Sequence, residues 1–276
     1  MLLHYRHHNG QIKIMKPRLV FLHIPKTAGT TLIERYWHND NFCACDRETV
    51  NDPDVIFGHT ANFDKWDDTR PVVYVTALRN PVERIMSQYN FTLTQLTYMN
   101  PNNQVGLDFY TWFINKDQMR PMPYTSMIDF LNQCNGHWRH DIHEYDTMYS
   151  NQILHWDGEK TSINQVAYQN YTEIKRANDQ RNYTWFQQNT QQRITHYINT
   201  NNDIVQEFES ICDIHGIVFN EIRDINHTNV TSDTLKFQGS EMIQFNDLST
   251  TNQQLVLDDV KYDMELYNAT SIPSRI

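Results

Sequence analysis

Between residues 18 and 37 the hydrophobic pattern changes period, and that change constrains the fold more than any other feature of the chain. Residues 18–24 (RLVFLHI) form a mostly apolar run rich in β-formers, the pattern of a strand buried on both faces. The run ends at Pro25, which has no N–H to give to a ladder. From Gly29 onward Leu32, Ile33, Tyr36 and Trp37 return at helical spacing on one face. Strand, tight loop and helix are therefore the opening unit.

Residues 54–58 (DVIFG), 71–78 (PVVYVTAL) and 193–199 (RITHYIN) read as further strands. Pro81 stands where a first helical turn tolerates it, and Val82, Ile85, Met86, Tyr89 and Leu93 predict a helix over about 81–93. Helical patterns also fall near 107–116, 124–133, 144–155, 203–215 and 252–268. Strands alternating with helices predict an α/β fold with a mainly parallel sheet. No Pro-, Gly- or Ser-rich linker divides the chain, so residues 1–276 are expected as one domain, with 1–16 a flexible N-terminal extension.

Composition narrows the function classes. At 276 residues with 39 % hydrophobic and 12 % aromatic side chains, the chain can bury a normal core and is no disordered polymer. Mean hydropathy of −0.68, with no apolar run near ~20 residues, excludes a membrane-spanning helix. Against 33 Asp and Glu stand 23 Lys and Arg, a net −10, so no general basic field exists for nucleic acid or an anionic membrane. Any anion must be held by a local site. Residues 1–16 lack the apolar core of a signal peptide. Cys43, Cys45, Cys134 and Cys212 are few enough to suggest a reducing compartment, and the cytoplasm is expected, with a Cys134–Cys212 bridge left open. Six Asn-x-Ser/Thr sequons among 28 asparagines read as compositional, since Asn90 falls inside a periodic helix.

The segment between the first strand and first helix is His23-Ile24-Pro25-Lys26-Thr27-Ala28-Gly29-Thr30-Thr31. Gly29 permits close backbone approach, the helix N-terminus offers N–H groups and a positive dipole end, the threonines add hydroxyls and Lys26 a full charge. These are the parts of a phosphate cradle, although a plain helix start is the alternative. It is not a Walker A loop, because the lysine precedes the glycine. A second segment, residues 78–89 (LRNPVERIMSQY), places Arg79 at the carboxyl end of the third strand, where open α/β sheets bind ligands. A guanidinium there suits a second phosphate. Pairing of Arg79 with Glu83, and an ordinary helical role for Ser87, are the alternatives. Gly58-His59-Thr60 ends the second strand, and an imidazole there suits a base, with a structural role as its alternative.

Together, PKTAGTT and LRNPVERIMSQY resemble the 5′-phosphosulfate and 3′-phosphate motifs of PAPS-dependent sulfotransferases, most closely the heparan-sulfate and uronyl 2-O-sulfotransferase branch. Residues 149–152 (YSNQ), the 226–231 region and residues 263–267 (DMELY) resemble family positions more loosely. The resemblance implies a P-loop-like three-layer fold with a central, mainly parallel sheet flanked by helices. It also implies PAPS as sulfate donor, 3′,5′-ADP (PAP) as product, and no metal requirement. Residue by residue, Lys26 would hold charge on the leaving phosphate oxygen, and Thr27, Ala28, Gly29, Thr30 and Thr31 would bind the 5′-phosphate. Arg79 and Ser87 would bind the 3′-phosphate, Lys236 would lie near a C-terminal cofactor loop, and His59 would be the catalytic base. The branch can carry a second histidine two positions earlier, where this chain has Phe57.

The expected acceptor is a hydroxyl, or an amine, of a small polar metabolite or natural product, because a −10 chain repels a polyanionic glycan. A hydroxyl on a neutral or weakly charged glycan is the alternative. A P-loop-like kinase and a non-catalytic nucleotide-binding protein are the readings from other classes. Cys43-Ala44-Cys45 lacks the second pair of a zinc site, and the 135–143 stretch reads as an acceptor-facing loop or as surface. Trp112, Trp138, Trp156 and Trp185 are candidates for stacking on a sugar or for core.

Overall fold

Five strands pair in parallel in the order β4-β5-β3-β6-β9, where β3 is Arg18–Leu22, β4 Phe42–Ala44, β5 Val55–Gly58, β6 Val72–Leu78 and β9 His196–Asn199. The computed structural model describes residues 4–6, 12–14, 16–44, 52–64, 70–99, 126–137, 154–156, 161–163, 177–220, 222–223 and 242–271. The α/β expectation holds, with an all-parallel sheet flanked by helices. The expected single domain contains two compact units by internal contact, Met1–Arg79 with Leu131–His137 and Phe186–Asn226, and Asn80–Phe130 with Trp138–Trp185 and His227–Ile276. No helix among the described residues is long and apolar enough to cross a membrane.

The first unit contains the sheet. β3 is buried along its whole length, which is why its sequence reads as a continuous apolar run. Leu19 and Phe21 share one core with Leu32 and Tyr36 of α1 (Gly29–Tyr36) and with Ile204, Phe208 and Ile211 of α5 (Ile204–Ile214). Phe208 is fully buried against the Phe21 ring, a burial that contributes about 1.5–3 kcal/mol. Polar anchors hold α1 in place. The Tyr36 hydroxyl donates to Glu209 of α5 at 2.7 Å, and Arg35 donates to the same carboxylate at 3.0 Å.

At the amino edge of the sheet an ion-pair network ties the strands. Asp54, ahead of β5, accepts from Lys16 and from Arg70, each at 2.7 Å, and Asp52 pairs with Arg70 and Arg18. Burial alone would raise the Asp54 pKa; Lys16 and Arg70 outweigh it and hold the carboxyl below its ordinary value. A depressed carboxyl stabilises the fold above its unfolded pKa and loses that contribution as pH falls through the folded value. Asp54→Asn is therefore expected to lower stability by about 1–3 kcal/mol at neutral pH, with the gap to wild type closing below about pH 4. Urea melts at pH 7 and pH 3 check this, and an equal deficit at both pH values overturns it.

The second unit contains α2 (Pro81–Met99), longer than the expected 81–93, the helix α4 over 177–185, and the paired strands β7 (Leu154–Trp156) and β8 (Thr161–Ile163). Residues 154–155, expected as the tail of a helix, are thus in a strand. The expected helix over 252–268 is two, α6 (Thr250–Asp259) and α7 (Lys261–Ser271), separated at Val260. Just past the break, buried Asp263 accepts from the Met127 and Ile128 amides of α3 (Met127–Cys134). That tertiary cap is a contact no periodicity encodes.

Within the expected N-terminal extension, β1 (His4–Arg6) and β2 (Ile12–Ile14) pair antiparallel. Alternation at Ile12-Lys13-Ile14 is the local pattern behind it. Cys134 and Cys212 are buried free thiols, so the bridge left open is not formed. Asn90 is buried, its amide donating to Met86 and Ile243 carbonyls, and Asn182 is buried too, which removes both as surface sequons. The expected helix over 107–116 lies outside the described residues.

Candidate functional site

The connection from β3 runs through α1 to β4 at one sheet edge, and the connection from β6 leads to β9 at the other. β3 and β6 are neighbours, so their carboxyl ends form the switch point where such sheets bind ligands. Register brings three loops level: Leu22 stands opposite Gly58 on β5 and opposite Thr76 on β6. The Thr76 hydroxyl donates to the Leu22 carbonyl at 2.8 Å and holds the end of β3. Lys26, His59 and Arg79 follow these three strand ends.

The loop after β3 is held in an uncommon conformation. Lys26 (φ 69°) and Ala28 (φ 60°) are both left-handed without being glycine, at about 1–2 kcal/mol each. Thr27 between them is fully buried, and its hydroxyl donates to the Ile24 carbonyl at 2.8 Å. Its share in a phosphate site would therefore come through the backbone. Ala28 is the N-cap of α1 and supplies no side-chain acceptor. Elsewhere first-turn amides are taken by side chains: by Asn80 at α2, Asp263 and Ser126 at α3, Asp203 at α5 and Ser249 at α6. Omitting such a cap costs about 0.5–2 kcal/mol. Thr30 is exposed and Thr31 half-buried in the same turn.

Lys26 lies within electrostatic range of Arg79. Burial first, and the positive charge of Arg79 second, push its pKa down to about 8. Two repelling cations beside an uncapped helix N-terminus are a donor set that a phosphate dianion neutralises and that a neutral ligand does not.

His59 is exposed, and its Nδ1 lies 2.8 Å from the His23 carbonyl. A carbonyl only accepts, so Nδ1 bears the proton and the neutral ring has its lone pair on Nε2. The rings of His23 and His59 stack with centroids 4.3 Å apart and planes 21° apart. They continue a cross-strand aromatic row in which Phe21 and Phe57 are the preceding pair, at 4.6 Å. Phe57 itself is fully buried, so the position where the resembling branch can carry a second histidine faces the core here. The imidazole that neighbours His59 here is that of His23. Gly29 meets a further constraint: a Cβ there would fall 1.9 Å from His23 Nε2, so the helix start approaches that ring closely.

Thus the six residues from Lys26 to Thr31, with Arg79 and His59, follow the level carboxyl ends of β3, β6 and β5 in the first unit, and His23, which sequence reading did not single out, lies beside His59. The register of two parallel strands would have found it, since His23 and His59 each follow a paired strand end. Ser87 lies in α2 of the second unit. Lys236, Cys45, Trp112, Trp138, the 138–143 stretch and the 149–152 and 226–231 regions lie outside the described residues. No family model, curated protein or solved structure matches this chain.

Proposed function

We propose that the protein is a PAPS-dependent sulfotransferase acting on a hydroxyl, or an amine, of a small polar metabolite. One observation carries the reading: at a single sheet edge the uncapped, left-handed loop and the Lys26–Arg79 pair adjoin a histidine whose tautomer places a lone pair on Nε2. The donor set suits a nucleotide with phosphates at both ends, as the motif resemblance implies. PAPS, when bound, supplies a sulfuryl group on a phosphosulfate anhydride and leaves as 3′,5′-ADP. Lys26 and the α1 amides would hold the 5′-phosphate and the charge that develops on its oxygen. Arg79 would hold the 3′-phosphate that separates this nucleotide from ATP. His59 Nε2 would take the proton of the acceptor as its oxygen or nitrogen attacks. A net charge of −10 favours a small acceptor over a sulfated glycan, and three buried free thiols suit a cytoplasmic location.

Transfer of labelled sulfate from PAPS into small polar metabolites and into desulfated polysaccharides tests this, alongside competition between 3′,5′-ADP and ATP. Label in the metabolite pool with preference for 3′,5′-ADP is expected. Label in polysaccharide alone moves the acceptor to a glycan hydroxyl. No label with preference for ATP overturns the reading in favour of a kinase.

A further inference from the structure

We propose that His23 is a positioning residue for His59, its imidazole setting the base at a defined place against the phosphate loop; this rests on the sulfotransferase reading of the site. His23 is 6 % exposed, and its ring touches three things that matter. It stacks on His59 at 4.3 Å, meets Phe57 at 4.8 Å, and fills the space that a Cβ on Gly29 would occupy. Phe57 is fully buried in the core, and Gly29 is the first residue of α1. The ring is therefore wedged between the sheet and the start of the helix that would hold the 5′-phosphate.

Backbone groups of the same residue complete the device. The His23 amide donates to the Gly58 carbonyl at 3.2 Å, and its carbonyl accepts from His59 Nδ1 at 2.8 Å. A hydrogen bond fixes one point of an exposed ring and leaves rotation about its axis. With a ring stacked beneath, His59 has both its plane and its tautomer defined, and Nε2 keeps one direction relative to Lys26. Transfer between a bound donor and an acceptor depends on that mutual placement.

Two variants separate the ring from the volume it fills: His23→Leu retains bulk without a ring, and His23→Phe retains a ring. Imidazole nitrogen NMR of the ligand-free protein reads the His59 tautomer, and labelled-sulfate transfer reads the rate. Wild type and His23→Phe are expected to keep the His59 proton on Nδ1. In His23→Leu the Nε2–H form should gain and transfer fall about 10- to 100-fold, with 3′,5′-ADP affinity within about twofold. An unchanged tautomer and rate in His23→Leu, or loss of the Nδ1–H signature in both variants, overturns the proposal. If wild type transfers no sulfate, the sulfotransferase reading fails, and the tautomer in His23→Leu still decides the positioning role.

Discussion

His59→Gln and His59→Ala are each expected to lower sulfuryl transfer by about 10²- to 10⁴-fold while leaving 3′,5′-ADP affinity within about twofold. The split follows from where His59 stands. It is exposed at the end of β5 and bonded to the His23 carbonyl, and it belongs to neither the left-handed loop nor the Lys26–Arg79 pair. Removing it takes away the proton acceptor and its contacts with His23, and leaves the left-handed loop and the Lys26–Arg79 pair in place. Gln can donate to the His23 carbonyl as His59 does, yet it offers no base at neutral pH, so the two variants should behave alike. Transfer assays paired with calorimetric titration of 3′,5′-ADP check this. Near-normal transfer by His59→Gln would show that the base is another group.

Lys26 carries the second large effect. Its ammonium is penalised by burial and by Arg79, which places its pKa near 8 in the free protein. A bound phosphate dianion reverses the penalty and raises that pKa, so binding takes up a proton once the free lysine has lost it. Affinity for 3′,5′-ADP should therefore be flat below about pH 8 and weaken above it, by at most about tenfold per pH unit. Lys26→Arg should give a flat profile over the same range, because a guanidinium keeps its charge. Lys26→Ala should lower transfer by about 10²- to 10³-fold, the scale for removing one donor from a developing oxyanion. A wild-type profile that stays flat from pH 7 to about 9.5 would exclude Lys26 from the anion site. Linkage adds a stability signature of the opposite sense. The unfolded chain binds the Lys26 proton up to its ordinary pKa, so this group's contribution to stability rises with pH between about 8 and 10.5.

Much of the candidate site is legible in the sequence because its parts are local. Pro25 ends a strand, Gly29 opens a helix, and Lys26 between them must lie in the intervening loop. Arg79 and His59 are likewise the first residues after strand-like runs. Other features depended on partners distant in sequence. The Thr27 hydroxyl closes its own loop on the Ile24 carbonyl, which leaves the backbone as its route to a phosphate. The C-terminal helical pattern continues through Val260, yet the helix divides there, and Asp263 beyond the break caps α3.

Hydrophobic period and turn residues act within a few positions of themselves, so the chain alone determined four of the five strands of the parallel sheet (β3, β5, β6 and β9), most of its described helices and the loop that bears Lys26. Strand order and register are sums of contacts between segments tens of residues apart. They decided that β3 lies between β5 and β6, that Leu22 stands level with Gly58 and Thr76, and hence that Lys26, His59 and Arg79 share one edge. Only that register stacks His23 on His59 and presses its ring against Gly29, because two residues that merely follow their own strands become neighbours when the strands pair.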